Sequence, residues 1–357
     1  MNDPLRQALE EVYKEVLNDS YFLFGRQMYA FEAAFAAKTG VSHCVAVGNC
    51  TDALFITLKM MGIQPGDEVI VPAMTWISDA AAVSQLGAIP VFVDVDDQGL
   101  IDLNLIEAAI SPKTKFIIPV HLYGQMVDMP KLMFLAQQHS LFVIEDCAQS
   151  HFATLATGKA GSFGHAGVFS FYPSKNLGAL GDGGCISTNN KTLALACRKF
   201  ANHGGIDKDS HEFVGLNSRM DTIQAAVLLE KLNHIDQWTN ERRRLATYYT
   251  NALDGLKEFR LPKDIHDNSH VFHIYEVRSK RRNSLKSFLE EKGIQTQVHY
   301  PKAIPFTNAY RHLGSEEADF PKAYQHQEET LSLPLYPGMP KAHRDYVIEQ
   351  VKAFHTL

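Results

Sequence analysis

In Gly167-Val168-Phe169-Ser170-Phe171-Tyr172-Pro173-Ser174-Lys175-Asn176-Leu177-Gly178-Ala179-Leu180-Gly181-Asp182-Gly183-Gly184, a lysine stands between an apolar run and a loop rich in glycine. The run 167–170 is short and uncharged, the composition of a strand covered on both faces. Most lysines are surface groups. An amine held at the end of a buried strand, however, loses solvation, its pKa falls, and it becomes available as a nucleophile. The glycines at 178–184 precede a further strand and not a helix, so they do not read as the phosphate loop of a dinucleotide-binding unit.

Similar apolar runs recur at 43–47, 68–71, 90–93, 116–120 and 141–144, with helical patterns between them at 51–61 and 129–139. Continuous hydrophobicity with interposed helices predicts an α/β chain built on a largely parallel sheet. Ligands of such sheets bind outside the carboxyl ends of the strands, and the residues there are chemically distinctive. Gly48-Asn49-Cys50-Thr51-Asp52-Ala53-Leu54 opens a helix with amides and a hydroxyl suited to a phosphate, although Asn and Thr also cap ordinary helices. Pro72-Ala73-Met74-Thr75-Trp76 carries an indole that either packs as core or stacks on a flat aromatic ligand. Glu145-Asp146-Cys147-Ala148-Gln149-Ser150 places carboxylates where they cap a helix or pair with a buried cation or ring nitrogen. A phosphate cradle, a stacking aromatic, a strand-end carboxylate and a buried lysine together suit pyridoxal phosphate. That cofactor needs an amine for attachment, an acid for its pyridine nitrogen, donors for its phosphate and a flat surface against its ring.

The 357 residues, with 34 basic and 40 acidic side chains and a formal charge of −6, are too many for one ordinary domain. Both signs of charge are spread along the chain, which argues against nucleic acid as a partner. The apolar stretch around 80–93 is broken by Ser84, Gln85, Gly87 and Pro90, too short for a membrane span. The start, Met1-Asn2-Asp3-Pro4-Leu5-Arg6, lacks the features of a signal peptide, and a cytoplasmic location is expected. Five cysteines without a CxxC pair read as buried free thiols, and no metal site is expected. His270 and His273 stand at helical spacing, but their segment reads as a strand and supplies no third ligand.

Asp3 as N-cap and Pro4 at the first position predict an opening helix with Leu5, Leu9, Val12 and Val16 on one face. A second helix is expected at 29–38, stopped by Gly40, and a third at 191–200. One long helix is expected from Met220 through Ile235, continuing into Glu241-Arg242-Arg243-Arg244 as a solvated face. Beyond it a strand at 271–277, a helix at 280–292 and a final helix ending near 354 predict a smaller α+β unit.

The ordered segments resemble the DegT/StrS family of pyridoxal-phosphate-dependent nucleotide-sugar aminotransferases, which have the aspartate aminotransferase fold (fold type I). Besides the strand-end blocks, the similarity is carried by Phe31-Glu32, Gly66-Asp67-Glu68-Val69-Ile70, Val93-Asp94-Val95, His121-Leu122-Tyr123-Gly124-Gln125, Gly215-Leu216-Asn217-Ser218-Arg219-Met220-Asp221 and, more weakly, Val298-His299-Tyr300-Pro301. The resemblance implies a three-layer α/β/α fold. A large cofactor-binding domain would span 1–245 and a small C-terminal α+β domain 246–357, with the N-terminal helix a candidate to pack on the small one.

Carried over position by position, the resemblance makes Lys175 the lysine that bonds the cofactor and shuttles the proton, and Asp146 the partner of the pyridinium. It implies that Trp76 stacks on the ring and Gln149 bonds its phenolic oxygen. Ser170, Thr51 and the Asp52 amide would hold the phosphate, with Asn217 reaching it from the second subunit of a homodimer. His299 and Tyr300 are the candidates to line the sugar pocket, and both also suit simple packing. Cys50 stands where the family usually has Gly, which any backbone conformation requiring glycine would not tolerate.

The implied reaction moves the amine of L-glutamate, by way of pyridoxamine 5'-phosphate, to a keto group of a nucleotide-linked sugar. The run after Lys175 is most similar to members acting on dTDP-linked 3-keto-6-deoxyhexoses, giving dTDP-3-amino-3,6-dideoxyhexoses for lipopolysaccharide O-antigen or another glycan. A 4-keto-sugar aminotransferase is the alternative. A pyridoxal-phosphate sugar dehydratase would have His in place of Lys175. A nicotinamide oxidoreductase would need a G-x-G-x-x-G, and a non-catalytic regulator would tolerate loss of Lys175 or Asp146.

Overall fold

The computed structural model describes residues 5–155, 158–207, 209–264 and 269–356. The expected cap at Asp3 and Pro4 lies outside them. The opening helix α1 (Arg6–Asp19) is followed by α2 (Arg26–Thr39), which ends where Gly40 takes φ 87°. The large sheet is then built from β1 (His43–Val47), β2 (Glu68–Pro72), β3 (Ile89–Val93), β4 (Thr114–Ile117) and β5 (Phe142–Asp146). A short antiparallel pair, β6 (Thr154–Leu155) and β7 (Gly158–Lys159), precedes its last two strands, β8 (Ala166–Ser170) and β9 (Gly184–Thr188). The intervening helices are α3 (Cys50–Met60), α4 (Ser78–Gln85) and α5 (Met129–Gln138).

Strand order in this seven-stranded sheet is β1-β9-β8-β5-β4-β2-β3. β2 pairs in parallel with β3 and β4, and β4, β5 and β8 continue in parallel, while β9 runs antiparallel to both of its neighbours. The carboxyl ends of β1, β2, β5 and β8 therefore share one edge. Neighbouring residues of a strand face opposite layers: Val69 and Val71 join one core with Ile56, Val83 and Phe200, whereas Ile70 joins the other with Phe35, Leu132 and Leu228. Both sheet faces are covered, which is why these strands read as unbroken apolar runs.

Three expectations are corrected. The single long helix is two, α7 (Thr222–Leu232) and α8 (Ile235–Leu253), with α6 (Lys191–Ala201) before them. The break at Asn233 and His234 uses φ of −65° and −106° and needs neither Gly nor Pro. The strand expected at 271–277 begins later, as β11 (Tyr275–Ser279) between β10 (Phe259–Arg260) and β12 (Thr330–Leu333). Val271 and Ile274 bond instead to the carbonyls of Gly124 and Tyr123, and Phe272 turns the chain with φ 43°. Arg242 is buried rather than solvated, donating Nη1 to the carbonyls of Phe272, His273 and Leu335 at 3.0, 3.3 and 3.2 Å.

The smaller sheet is packed by α9 (Arg282–Glu291), α10 (Pro321–Glu329) and α11 (Lys341–His355). Helix α8 places Ile235 and Trp238 in a core of the large sheet and Leu245, Tyr249 and Leu253 in the core of the small one. Arg242 sits between those two groups. Arg242→Leu should therefore cost about 2–4 kcal/mol by leaving buried carbonyls unpaired, read as a lower urea midpoint with an unchanged m-value. Leu5 and Leu9 of α1 and its flank join the large core, against α7, and not the small unit.

Candidate active site

Two close approaches shape the edge where the strands end. At Gly184 a Cβ would lie 2.5 Å from the backbone of Asn49, so β9 passes directly against the turn that opens α3. At Gly178 a Cβ would lie 2.4 Å from the Pro173 carbonyl, so the loop after β8 folds back tightly and returns Lys175 to the sheet. Cys50, in place of the expected glycine, is the first residue of α3 and has no positive φ, so its side chain is accommodated.

These loops enclose a cavity of about 510 Å³, lined by Thr51, Trp76, Asp146, Gln149, Ser170 and Lys175 together with Tyr300. Its size falls within the roughly 300–1,000 Å³ usual for small-molecule sites. Asp146 is buried at the end of β5, and its Oδ1 accepts the Ala148 N–H at 2.7 Å. Gln149 accepts the Tyr123 N–H at 2.6 Å and donates Nε2 to the Tyr300 hydroxyl at 2.9 Å, so its amide is fixed in one orientation. Trp76, exposed to the cavity, lies 5.5 Å from the Tyr300 ring. Thr51 and Ser78 hydroxyls are 2.8 Å apart beside the first turn of α3, whose leading amides have no partner within the helix.

Burial holds the Lys175 amine below the usual lysine range, and the Asp146 carboxylate opposes that fall. Burial likewise raises the Tyr300 phenol and pushes His299 down to about 4, leaving its imidazole neutral at neutral pH. A nucleophilic amine, a buried carboxylate, an indole face and a cluster of hydroxyls with a helix N-terminus are the donor set that pyridoxal phosphate needs, and the cavity fits it.

The chain matches the model of the DegT/DnrJ/EryC1/StrS aminotransferase family over residues 5–352. It belongs to that family. It is 40% identical to the dTDP-3-amino-3,4,6-trideoxy-alpha-D-glucose transaminase of Streptomyces venezuelae, over 98% of this chain and 93% of the relative. It is 43% identical to the UDP-N-acetyl-3-dehydro-alpha-D-glucosamine 3-aminotransferase of Acidithiobacillus ferrooxidans, over 94% of this chain and 90% of the relative. The solved structure of S. venezuelae DesV in complex with a ketimine intermediate superposes with a TM-score of 0.97 at 40% identity, covering 99% of this chain and 96% of that one. The chain is thus a sugar aminotransferase with the pyridoxal-phosphate aminotransferase fold.

Three expected site residues lie outside this aminotransferase's cavity. Asp52 gives its amide to the Asn49 side chain at 2.8 Å, and its carboxylate accepts from Ser218 at 2.6 Å. It borders a shallow depression shared with Gly48, Leu23, Asn217 and Arg219. His299 lines an adjoining cavity with Ser174, His273 and Gln297, and its Nδ1 is 2.8 Å from the Ser332 hydroxyl. Thr75, Ser78, Tyr172 and Asp182 line the main cavity without having been singled out in the sequence. Ser78 follows Trp76 by two residues, so the strand-end rule that found Trp76 also reaches it.

In the His270/His273 pair, His270 Nδ1 accepts the Phe272 N–H at 2.9 Å and His273 Nδ1 pairs with Asn176 Oδ1 at 3.2 Å. The segment that holds them is irregular and is not the expected strand. His121, Glu145 and Cys147 do converge. The lone pairs of His121 and Glu145, however, are already used, and the Cys147 thiol is directed at the Glu145 carbonyl. His121 accepts the Val127 N–H and bonds Glu145 at 3.0 Å, and Glu145 also accepts the amides of Gly161, Phe163 and Gly164.

Proposed function

We propose that this aminotransferase takes its amine from L-glutamate and delivers it to the 3-keto group of a dTDP-linked 6-deoxyhexose, acting as a cytoplasmic homodimer. The observation that carries the reading is the convergence of Lys175, Asp146, Trp76, Gln149 and Ser170 on one cavity. Both named relatives place their amine at C3, one on a dTDP sugar and one on a UDP sugar, which supports position 3 over position 4. Among the described residues, no helix is long and apolar enough to cross a membrane.

Pyridoxal phosphate, when bound, supplies an electrophilic carbonyl and a ring that absorbs the electrons of a carbanion. The chain's own groups do the rest. Lys175 would attach the cofactor and, as an amine whose pKa burial has lowered, would serve as the base that moves the proton. Asp146 keeps the pyridine nitrogen protonated. Trp76 covers the ring, and Gln149, oriented by Tyr123 and Tyr300, donates to the phenolic oxygen. Ser170, Thr51 and the first turn of α3 hold the phosphate. Asp52 contributes by bracing that turn, its amide donating to the Asn49 side chain and its carboxylate accepting from it, rather than by giving its amide to the phosphate.

Asn217 lies outside its own chain's cavity, in keeping with service to a second subunit. The exposed side chains of Tyr21, Phe22, Leu23, Val214 and Leu216, in the two chain segments that reach that depression at Leu23 and Asn217, supply apolar surface that a dimer would cover. Tyr300 would face the sugar from the small unit, with His299 next to it in the adjoining cavity.

The test is to incubate the enzyme with glutamate and separate dTDP-3-keto, dTDP-4-keto and UDP-3-keto sugars, locating the new amine by NMR. The expected result is amination at C3 of the dTDP sugar. Turnover of the 4-keto sugar alone would move the reaction to C4, and turnover of the UDP sugar alone would replace the nucleotide.

A further inference from the structure

Behind Asp146 lies a second carboxyl that the reaction as described does not use. Asp79, in the first turn of α4, is fully buried and is absent from the cavity wall. An acid at that helical position ordinarily faces water and complements the helix dipole. This one does not. The Thr75 hydroxyl donates to its Oδ2 at 2.9 Å, while Oδ1 is sealed from solvent with no hydrogen-bond partner. The Asp79 carboxyl stands within hydrogen-bonding reach of that of Asp146.

Two carboxyl groups can bond to each other only if one carries a proton, and two buried like charges side by side are strongly disfavoured. Burial keeps the neighbouring Cys50 thiol and Tyr300 phenol in their neutral forms. Among the described residues that act on this pair, Lys175 is the cation, and it compensates one negative charge.

We propose that Asp79 is a positioning residue that stays protonated and donates its O–H to the Asp146 carboxylate. The inference rests on the reading of Asp146 as partner of the pyridine nitrogen. Asp146 then has both oxygens directed, one by the Ala148 amide and one by Asp79 or the cofactor. With both oxygens so directed, the carboxylate is held as the acceptor of the ring N–H, and the shared proton stays on the ring nitrogen. Burial, and then the charge of Asp146, raise Asp79 well above the ordinary carboxyl range, in agreement with a neutral acid. Asparagine can reproduce the arrangement, accepting from Thr75 through its oxygen and donating to Asp146 through its amide.

Two measurements on the purified holoenzyme test this. Infrared difference spectra of wild type minus Asp79→Asn, at neutral to mildly alkaline pH, should show the C=O band of a protonated carboxyl lost in the variant. A difference spectrum without that band overturns the proposal, whatever the cofactor does. With pyridoxal phosphate labelled by nitrogen-15 in the ring, wild type and Asp79→Asn should both show the protonated nitrogen resonance. Asp79→Ala should move it toward the unprotonated position. An unmoved resonance in Asp79→Ala, or an equal displacement in Asp79→Asn, overturns the role. The infrared measurement needs only the isosteric variant, so the proposal stays falsifiable if Asp79→Ala does not fold. The same nitrogen probe in Asp146→Ala checks the underlying reading separately: a resonance unchanged there would refute the role of Asp146 without bearing on the proton at Asp79.

Discussion

Replacing Lys175 by alanine should remove the absorption band of the lysine-bonded cofactor and lower transamination by about 10⁴-fold or more. Two losses combine in this one side chain. The amine at the cavity is the group that bonds the cofactor, and it is also the base that moves the proton after glutamate has displaced it. The backbone is not at stake, since the tight turn is held by the Lys175 amide on the Tyr172 carbonyl at 2.9 Å and by the close packing at Gly178. The variant should therefore melt where the wild type does and still take up cofactor without fixing it. A variant with normal absorption and turnover would remove Lys175 from the mechanism.

Asp146→Ala should slow the half-reaction with glutamate by roughly 10³-fold, the scale of losing one preorganised electrostatic partner. The carboxylate is buried at the end of β5 and oriented by the Ala148 amide, so no water-filled space offers an equivalent charge. Without it the pyridine nitrogen loses its proton, and the ring no longer draws off the electrons of the carbanion. Rapid mixing of the loaded enzyme with glutamate, followed by absorbance, reads this step alone. A single-turnover rate equal to wild type would contradict the role.

Most of the site was legible because strand ends are local features. Continuous apolar runs at 43–47, 68–71 and 141–144 located β1, β2 and β5 within a residue or two, and Thr51, Trp76, Asp146 and Gln149 follow them directly in the chain. What was missed depends on contacts between distant residues. Arg242 reads as one of four charged neighbours until residues 272, 273 and 335 bring their carbonyls to it. The break between α7 and α8 carries no Pro or Gly and leaves the apolar spacing uninterrupted. The stretch 271–274 is apolar enough for a strand, yet its Val271 and Ile274 amides are taken by the loop at Tyr123 and Gly124. Asp79 carries no signal in the sequence, and only its proximity to Asp146, 67 positions later in the chain, gives it a meaning.

One lysine, Lys175 in the loop after β8, should carry the cofactor. Reduction of the loaded protein with borohydride, proteolysis and mass spectrometry of the labelled peptide tests it most directly. The pyridoxyl group should be found on Lys175, in the peptide containing Tyr172-Pro173-Ser174-Lys175-Asn176. A label on another lysine, or a loaded protein that borohydride leaves unlabelled, would contradict it.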